Sequence, residues 1–247
     1  MPRHPRRSRR EVATFGQTLA GESEGGAHER ARDIVRFFRR ADPGDPVPVR
    51  IHVGAGQRHL DGWINVDNQA LPGVDRVVDV RQGLPFSNAS AIYAEHFLEH
   101  LALDDGLAFL RACRSVLRPD GILRLSTPNL TWVLSTHYRL DDSLPADQGL
   151  FDCLRTNRAF HGWGHQFLYN RSTLAMALRA CGFAEVSFHA YGESPHPELR
   201  GLEGHEKSDD VPDLPHVLVA EAEGVADSPA PLPEDWLSEF RRDLKAR

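Results

Sequence analysis

Several runs of the chain end in residues that can hold or activate a ligand. The β-branched run Val49 to Val53 stops at Gly54-Ala55-Gly56, and the apolar run Trp63 to Val66 stops at Asp67. Glycine turns the backbone sharply and lets a ligand approach without a Cβ in the way. A carboxylate at the next strand end can accept from both hydroxyls of a ribose. Taken alone, G-x-G fits an ordinary glycine turn as well. A third run, Asp75 to Val80, carries Asp79 ahead of Gly83-Leu84-Pro85-Phe86. That carboxylate can accept from the exocyclic amine of an adenine, with Leu84 and Phe86 as an apolar wall, or it can cap a turn. A fourth run, Ala91 to Ala94, leads into Glu95-His96-Phe97-Leu98-Glu99-His100-Leu101. His161 and His165, four apart, could ligate a metal from one helix face. Gly162 and Gly164 argue against a helix there, and no third ligand is evident, so no metal is expected.

These residues need strands that deliver them to one edge. Phe109, Leu110, Cys113, Val116 and Leu117 line one face of a helix from about Asp104 to Arg118, with acids at its start and arginines near its end, as the helix dipole favours. Arg118-Pro119-Asp120-Gly121 reads as a turn into a fifth strand, Ile122 to Ser126, followed by Pro128-Asn129. Strands alternating with helices imply a parallel sheet with ligands at its carboxyl ends. Ser172 can cap a later helix that buries Leu174, Ala177, Leu178 and Cys181 and ends at Gly182. Ala184 to Ala190 reads as a sixth strand and His216 to Glu221 as a seventh.

The 247 residues suffice for one α/β domain with modest extras. Residues 1–26 read as a disordered basic tail, rich in arginine at first and in Gly, Glu and Ser later. The domain spans 27–226 and opens with an amphipathic helix from Ala27 to Arg40. Between about 130 and 160 clear periodicity is lost, which suggests an insertion over the strand ends. The segment 227–247 is a tail whose Trp236, Phe240 and Leu244 recur at helical spacing. A net charge of −6 argues against a broad nucleic-acid footprint. Cys113, Cys153 and Cys181 show no C-x-x-C spacing and suit buried thiols in a reducing compartment. With no apolar run long enough to span a membrane, the expectation is a soluble, cytoplasmic protein.

The ordered series resembles the class I S-adenosylmethionine-dependent methyltransferases. More narrowly, it is similar to the small bacterial predicted methyltransferases near the type 11 methyltransferase domain. The resemblance is carried by Val53-Gly54-Ala55-Gly56, Gly62-Trp63-Ile64-Asn65-Val66-Asp67, Asp79 with Leu84-Pro85-Phe86, and Ala94 to Leu101. Val116 to Leu123 with Pro128-Asn129 completes it, and it covers roughly Arg50 to Ala222. It implies a Rossmann-like sheet of seven mostly parallel strands, helices on both faces, and an antiparallel last strand. It also implies S-adenosyl-L-methionine as cofactor. Gly54, Ala55 and Gly56 would lie beneath its methionine and ribose, Asp67 would bind the ribose, Asp79 with Val80 the adenine, and Glu95 would sit near the sulfonium. His165, followed by aromatics, matches a histidine that faces the methyl group in many such enzymes; a structural histidine is the alternative. His96 is the second candidate base. Two features depart from the pattern. His52 stands where many relatives carry an acid, so the methionine ammonium must rely on backbone carbonyls or another carboxylate. Gly54 and Asp67 are thirteen positions apart, against about 20 in a full dinucleotide fingerprint, so the first crossover helix must shrink to about a turn.

The implied reaction moves a methyl group in line from a sulfonium to an acceptor, and its neutral thioether leaving group requires no metal. A small-molecule or saccharide hydroxyl is the favoured acceptor. A nicotinamide-dependent oxidoreductase competes but lacks the third glycine and the longer spacing. A non-catalytic cofactor-binding or interaction protein competes because of His52, and a nucleic-acid modifier because of the arginine tail. Oligomeric state is open.

Overall fold

Val49–Val53 (β1), Ile64–Asp67 (β2), Arg76–Val77 (β3), Ala89–Glu95 (β4), Leu117–Pro128 (β5), Glu185–His189 (β6) and Val217–Glu223 (β7) form a single seven-stranded sheet. This computed structural model describes residues 48–141, 143–205, 211 and 213–245. The expected basic tail and the expected helix from Ala27 to Arg40 lie outside the described residues. The strand order is β3-β2-β1-β4-β5-β7-β6, and β7 alone runs antiparallel to its neighbours. The architecture is therefore the expected Rossmann-like one with its last strand reversed. The carboxyl ends of β1, β2 and β4 adjoin, because β1 pairs in parallel with both β2 and β4.

Alternation along the strands sorts side chains onto two unlike faces. Ile51, Val53, Ile92, Ala94, Leu123 and Leu125 belong to the main apolar core. There they meet Leu103–Val116 (α1) and Arg171–Ala180 (α4). Phe109, Leu110, Leu174 and Leu178 are completely buried in this layer. Each such side chain contributes about 1.5–3 kcal/mol by leaving water. The opposite face carries His52, Asn65, Tyr93 and Arg124, all buried. Over it lies the segment 190–205, whose helical turn Pro197–Leu199 seats Leu199 and Leu202 with Trp63 and Tyr93.

The shortened first crossover contains no helix and is knitted instead by Asn65. Its side chain accepts from the Leu60 amide at 2.9 Å and donates to the Trp63 carbonyl at 3.1 Å and to Asp75 at 3.1 Å.

Five expected local features come out differently. Arg118–Gly121 is a bulge inside β5 rather than a turn before it: Ala89 pairs with Leu117, but Ala91 already pairs with Ile122. Gly121 is required there, because a Cβ would lie 2.7 Å from the Ala89 carbonyl oxygen. β3 is only two residues long, because Asp79 caps the helical turn Val80–Gln82 and ends the extended run. The cap of α4 is Asn170, which accepts from the Thr173 amide at 2.8 Å, while Ser172 donates to Asn170. The segment after β5 is helical, with Leu130–His137 (α2) and Ala146–His161 (α3). Cys153 is exposed, whereas Cys113 and Cys181 are buried as expected.

The terminal helix Glu234–Lys245 (α5) docks by Phe240, edge-on to Phe167 at 6.1 Å, and by Arg241, 2.8 Å from Asp104. Trp236 stays exposed. Among the described residues, no helix is long and apolar enough to cross a membrane.

Candidate functional site

The turn after β1 holds both of its glycines in the left-handed region, Gly54 at φ +68° and Gly56 at φ +54°. A Cβ on Gly54 would strike the Phe97 ring at 2.5 Å, whereas one on Gly56 would meet nothing within 4 Å. Gly54 is thus closed by Phe97, and Gly56 faces open space. The Gly56 amide donates to Oδ2 of Asp67 at 2.9 Å and the Gln69 amide to Oδ1 at 3.0 Å. A carboxylate offers about four lone-pair sites, so Asp67 stays pinned by two amides and still has acceptor capacity.

Asp79 is committed to Arg81, whose Nε and Nη2 donate to it at 2.9 and 2.8 Å. Those bonds, with the Arg81 amide, hold its carboxyl below the usual range. Val80 is buried next to it.

Glu95, at the end of β4, is buried and fully engaged. Oε2 accepts from Arg58 at 2.6 Å, and Oε1 accepts from the amides of Gly204 and His205 at 2.8 and 3.1 Å. Burial pushes this carboxyl up, but the two amides and the His205 and Arg58 charges bring it below its ordinary value.

His96 follows with a left-handed backbone, φ 45°, a conformation costly for a non-glycine residue and concentrated at functional sites. Its amide donates to the Ser126 carbonyl at 2.9 Å, and its ring lies 4.4 Å from that of His205. Nδ1 of His96 is 3.1 Å from Oε1 of Glu99, a wholly buried carboxylate whose Oε2 accepts from Thr127 at 2.9 Å. If Glu99 is ionised and the His96 ring neutral, Nδ1 carries the proton and Nε2 the lone pair.

His165 lies beyond the end of α3, with Nδ1 2.8 Å from the Ala159 carbonyl. Its ring meets His100 edge-on at 5.1 Å. The structure therefore joins His165 not with His161 but with His100 and Glu99, and Glu99 links this group to His96. The insertion α2–α3 borders an open surface pocket of about 480 Å³ between Arg139, Phe151, Asp152 and Arg155. None of the strand-end residues lines it.

His52 has no ligand role in this arrangement. It is buried, bonds Asn65 at 3.0 Å through Nδ1 and stacks on Tyr93 at 5.3 Å. Burial lowers its pKa against the opposing hydrogen bond that it donates to Asn65.

Sequence reasoning missed Arg58, Glu99, His100 and the Gly204-His205 amides. The repeated Glu-His pair, Glu95-His96 and Glu99-His100, was the one available signal for two of them.

Fold and strand-end residues together define a Rossmann-like α/β protein with a cluster of polar residues at the carboxyl edge of its sheet. No protein-family model matches the chain, and no curated protein matches it in sequence. Among solved structures it is similar to an S-adenosylmethionine-dependent methyltransferase from Archaeoglobus fulgidus, at 15% identity and a TM-score of 0.45, over 81% of this chain and 94% of that one. It is also similar to a protein from Bordetella parapertussis described as a possible exported protein, at 14% identity and a TM-score of 0.46, over 81% and 68%. A third likeness is to DhpI in complex with S-adenosylhomocysteine, at 14% identity and a TM-score of 0.43, over 83% and 89%. Likenesses of this size leave the functional argument to the residues themselves.

Proposed function

We propose that this chain is an S-adenosylmethionine-dependent methyltransferase whose acceptor is a hydroxyl on a small molecule or saccharide. The observation that carries the reading is the Gly56–Asp67 bond, which fixes a carboxylate with spare acceptor capacity beside open space at the β1 and β2 ends. A ribose fits that arrangement. Asp67 would accept from its hydroxyls, while Asp79 and Val80 would take the adenine side, with Asp79 sharing its carboxylate with Arg81. Glu95 and Arg58 offer one group of each sign for an amino-acid moiety, and each would have to exchange part of the other for it. When bound, S-adenosylmethionine supplies a methyl group on a sulfonium that leaves as a neutral thioether.

The remaining chemistry belongs to the chain. Aligning the acceptor and excluding water would fall to Phe97 and the 190–205 segment, and such positioning accounts for much of the barrier in a displacement. His96, oriented by Glu99, would take the proton from the acceptor hydroxyl at Nε2. His165 is the second candidate for that step. The experiment is release of S-adenosylhomocysteine from S-adenosylmethionine in the presence of a panel of hydroxylated acceptors. His96→Ala should lower turnover by ~10²–10⁴-fold, the usual contribution of a positioned acid or base, with S-adenosylhomocysteine affinity retained. Full turnover in His96→Ala would remove the base from His96.

A further inference from the structure

Glu99, His100 and His165 each present one ligand atom, and all three atoms lie within 4.8 Å of one another. From this geometry we infer a site for a zinc-class divalent cation. Two imidazoles and one carboxylate form the donor set of open, three-ligand zinc sites, and imidazole favours zinc or a neighbouring late transition metal over magnesium or calcium. Ligand atoms around a tetrahedral ion at ~2.0–2.2 Å stand about 3.3–3.6 Å apart, so a contraction of at most about 1.5 Å closes the site.

Three further observations fit a cation here. Glu99 is wholly buried, and among the described residues its partners are His96 and Thr127, with no arginine or lysine. A buried carboxylate without a fixed cation is costly, and a metal ion would compensate it. His165 points Nδ1 at the Ala159 carbonyl, which can only accept, so in the neutral ring Nε2 is the nitrogen with the lone pair. Binding of the far ring nitrogen to a carbonyl is the usual way a ligating histidine is oriented. The His100 ring has no hydrogen-bond partner among the described residues, only its contact with His165.

The scaffold is held in place without the ion. The Gln166 and Phe167 amides donate to the Glu99 carbonyl at 2.7 and 3.2 Å, and the Gln166 side chain donates to the His100 carbonyl at 2.6 Å. The segment bearing His165 is thereby fastened to the turn bearing the other two ligands. Three protein ligands leave a fourth position for a water or an acceptor hydroxyl, whose proton the ion would make easier to remove. That role rests on the methyltransferase reading; ion binding does not.

The test uses the full chain stripped with a chelator and titrated with Zn²⁺ by calorimetry, and with Co²⁺ followed by its visible ligand-field bands. One ion per chain should bind, and Co²⁺ should show the intense bands of low coordination. His100→Ala and His165→Ala should each weaken binding by more than the ~10–100-fold typical of losing a supporting partner. His161→Ala should leave it unchanged. Glu99 is wholly buried and its loss perturbs the core, so half-buried His100 is the decisive position. Absence of saturable Zn²⁺ binding at micromolar concentration, or equal affinity in wild type and His100→Ala, overturns the site. S-adenosylhomocysteine binding is titrated separately on the same samples, so loss of the metal claim and loss of the methyltransferase reading are distinguishable.

Discussion

Arg124 and Glu203 meet as a two-pronged ion pair with neither side chain exposed, Nε and Nη2 lying 2.8 and 2.9 Å from the two carboxylate oxygens. Arg124 projects from β5, and Glu203 comes from the covering segment, 79 positions later. Glu221 on β7 and the Glu193 carbonyl take up another of its nitrogens. The two residues after Glu203 donate their amides to Glu95, so this pair anchors the stretch of chain that closes over the candidate site.

Breaking such a pair from one side leaves an uncompensated buried charge and costs about 3–5 kcal/mol. Glu221 still pairs with Arg124, so Glu203→Gln should lower stability in urea by less than that. Because Glu221 also pairs with Arg124, the joint replacement Arg124→Met, Glu203→Leu and Glu221→Gln should recover much of the loss. Equal stability of Glu203→Gln and wild type would show that the covering segment is held by Leu199 and Leu202 alone.

Asp67 gives a second prediction. Hydrogen bonds to a charged group contribute about 1.5–3 kcal/mol each, so Asp67→Ala should weaken S-adenosylhomocysteine binding by roughly tenfold to several hundredfold. The mutant also loses the Gly56 bond, so circular dichroism must show an intact fold. Unchanged affinity by calorimetry would place the ribose elsewhere.

His52 makes stability depend on pH. Burial depresses its pKa in the folded chain below the ordinary 6.5. Between 6.5 and that lower value the unfolded chain binds a proton that the folded chain refuses. The contribution is thus fully present above pH 6.5 and is lost as pH falls through the folded pKa. His52→Gln should remove this slope while keeping a side-chain partner for Asn65. The slopes of urea-derived stability from pH 7 down to about 5 would decide it.

The strand ends were legible because each is marked by a residue type with a local job: glycine at Gly54 and Gly56, a carboxylate at Asp67. Helix α1 was legible because its apolar positions face one core. Helix α3 lacks that mark, since Leu150, Phe151 and Leu154 are exposed and no buried stripe shows in sequence. Arg118–Gly121 carries true turn chemistry, but pairing of the flanking Leu117 and Ile122 with β4 absorbs the turn into a strand. The grouping of His100 with His165 could not be read, because it depends on backbone bonds such as Gln166 to Glu99 that exist only once the chain has folded.

The central claim is that the β1, β2 and β4 ends hold S-adenosylmethionine. Calorimetric titration of the full chain with S-adenosylhomocysteine, and separately with NADH, tests it most directly. Saturable binding of S-adenosylhomocysteine at one site, with NADH binding weakly or not at all, is the predicted result. Tight binding of NADH without binding of S-adenosylhomocysteine would contradict it.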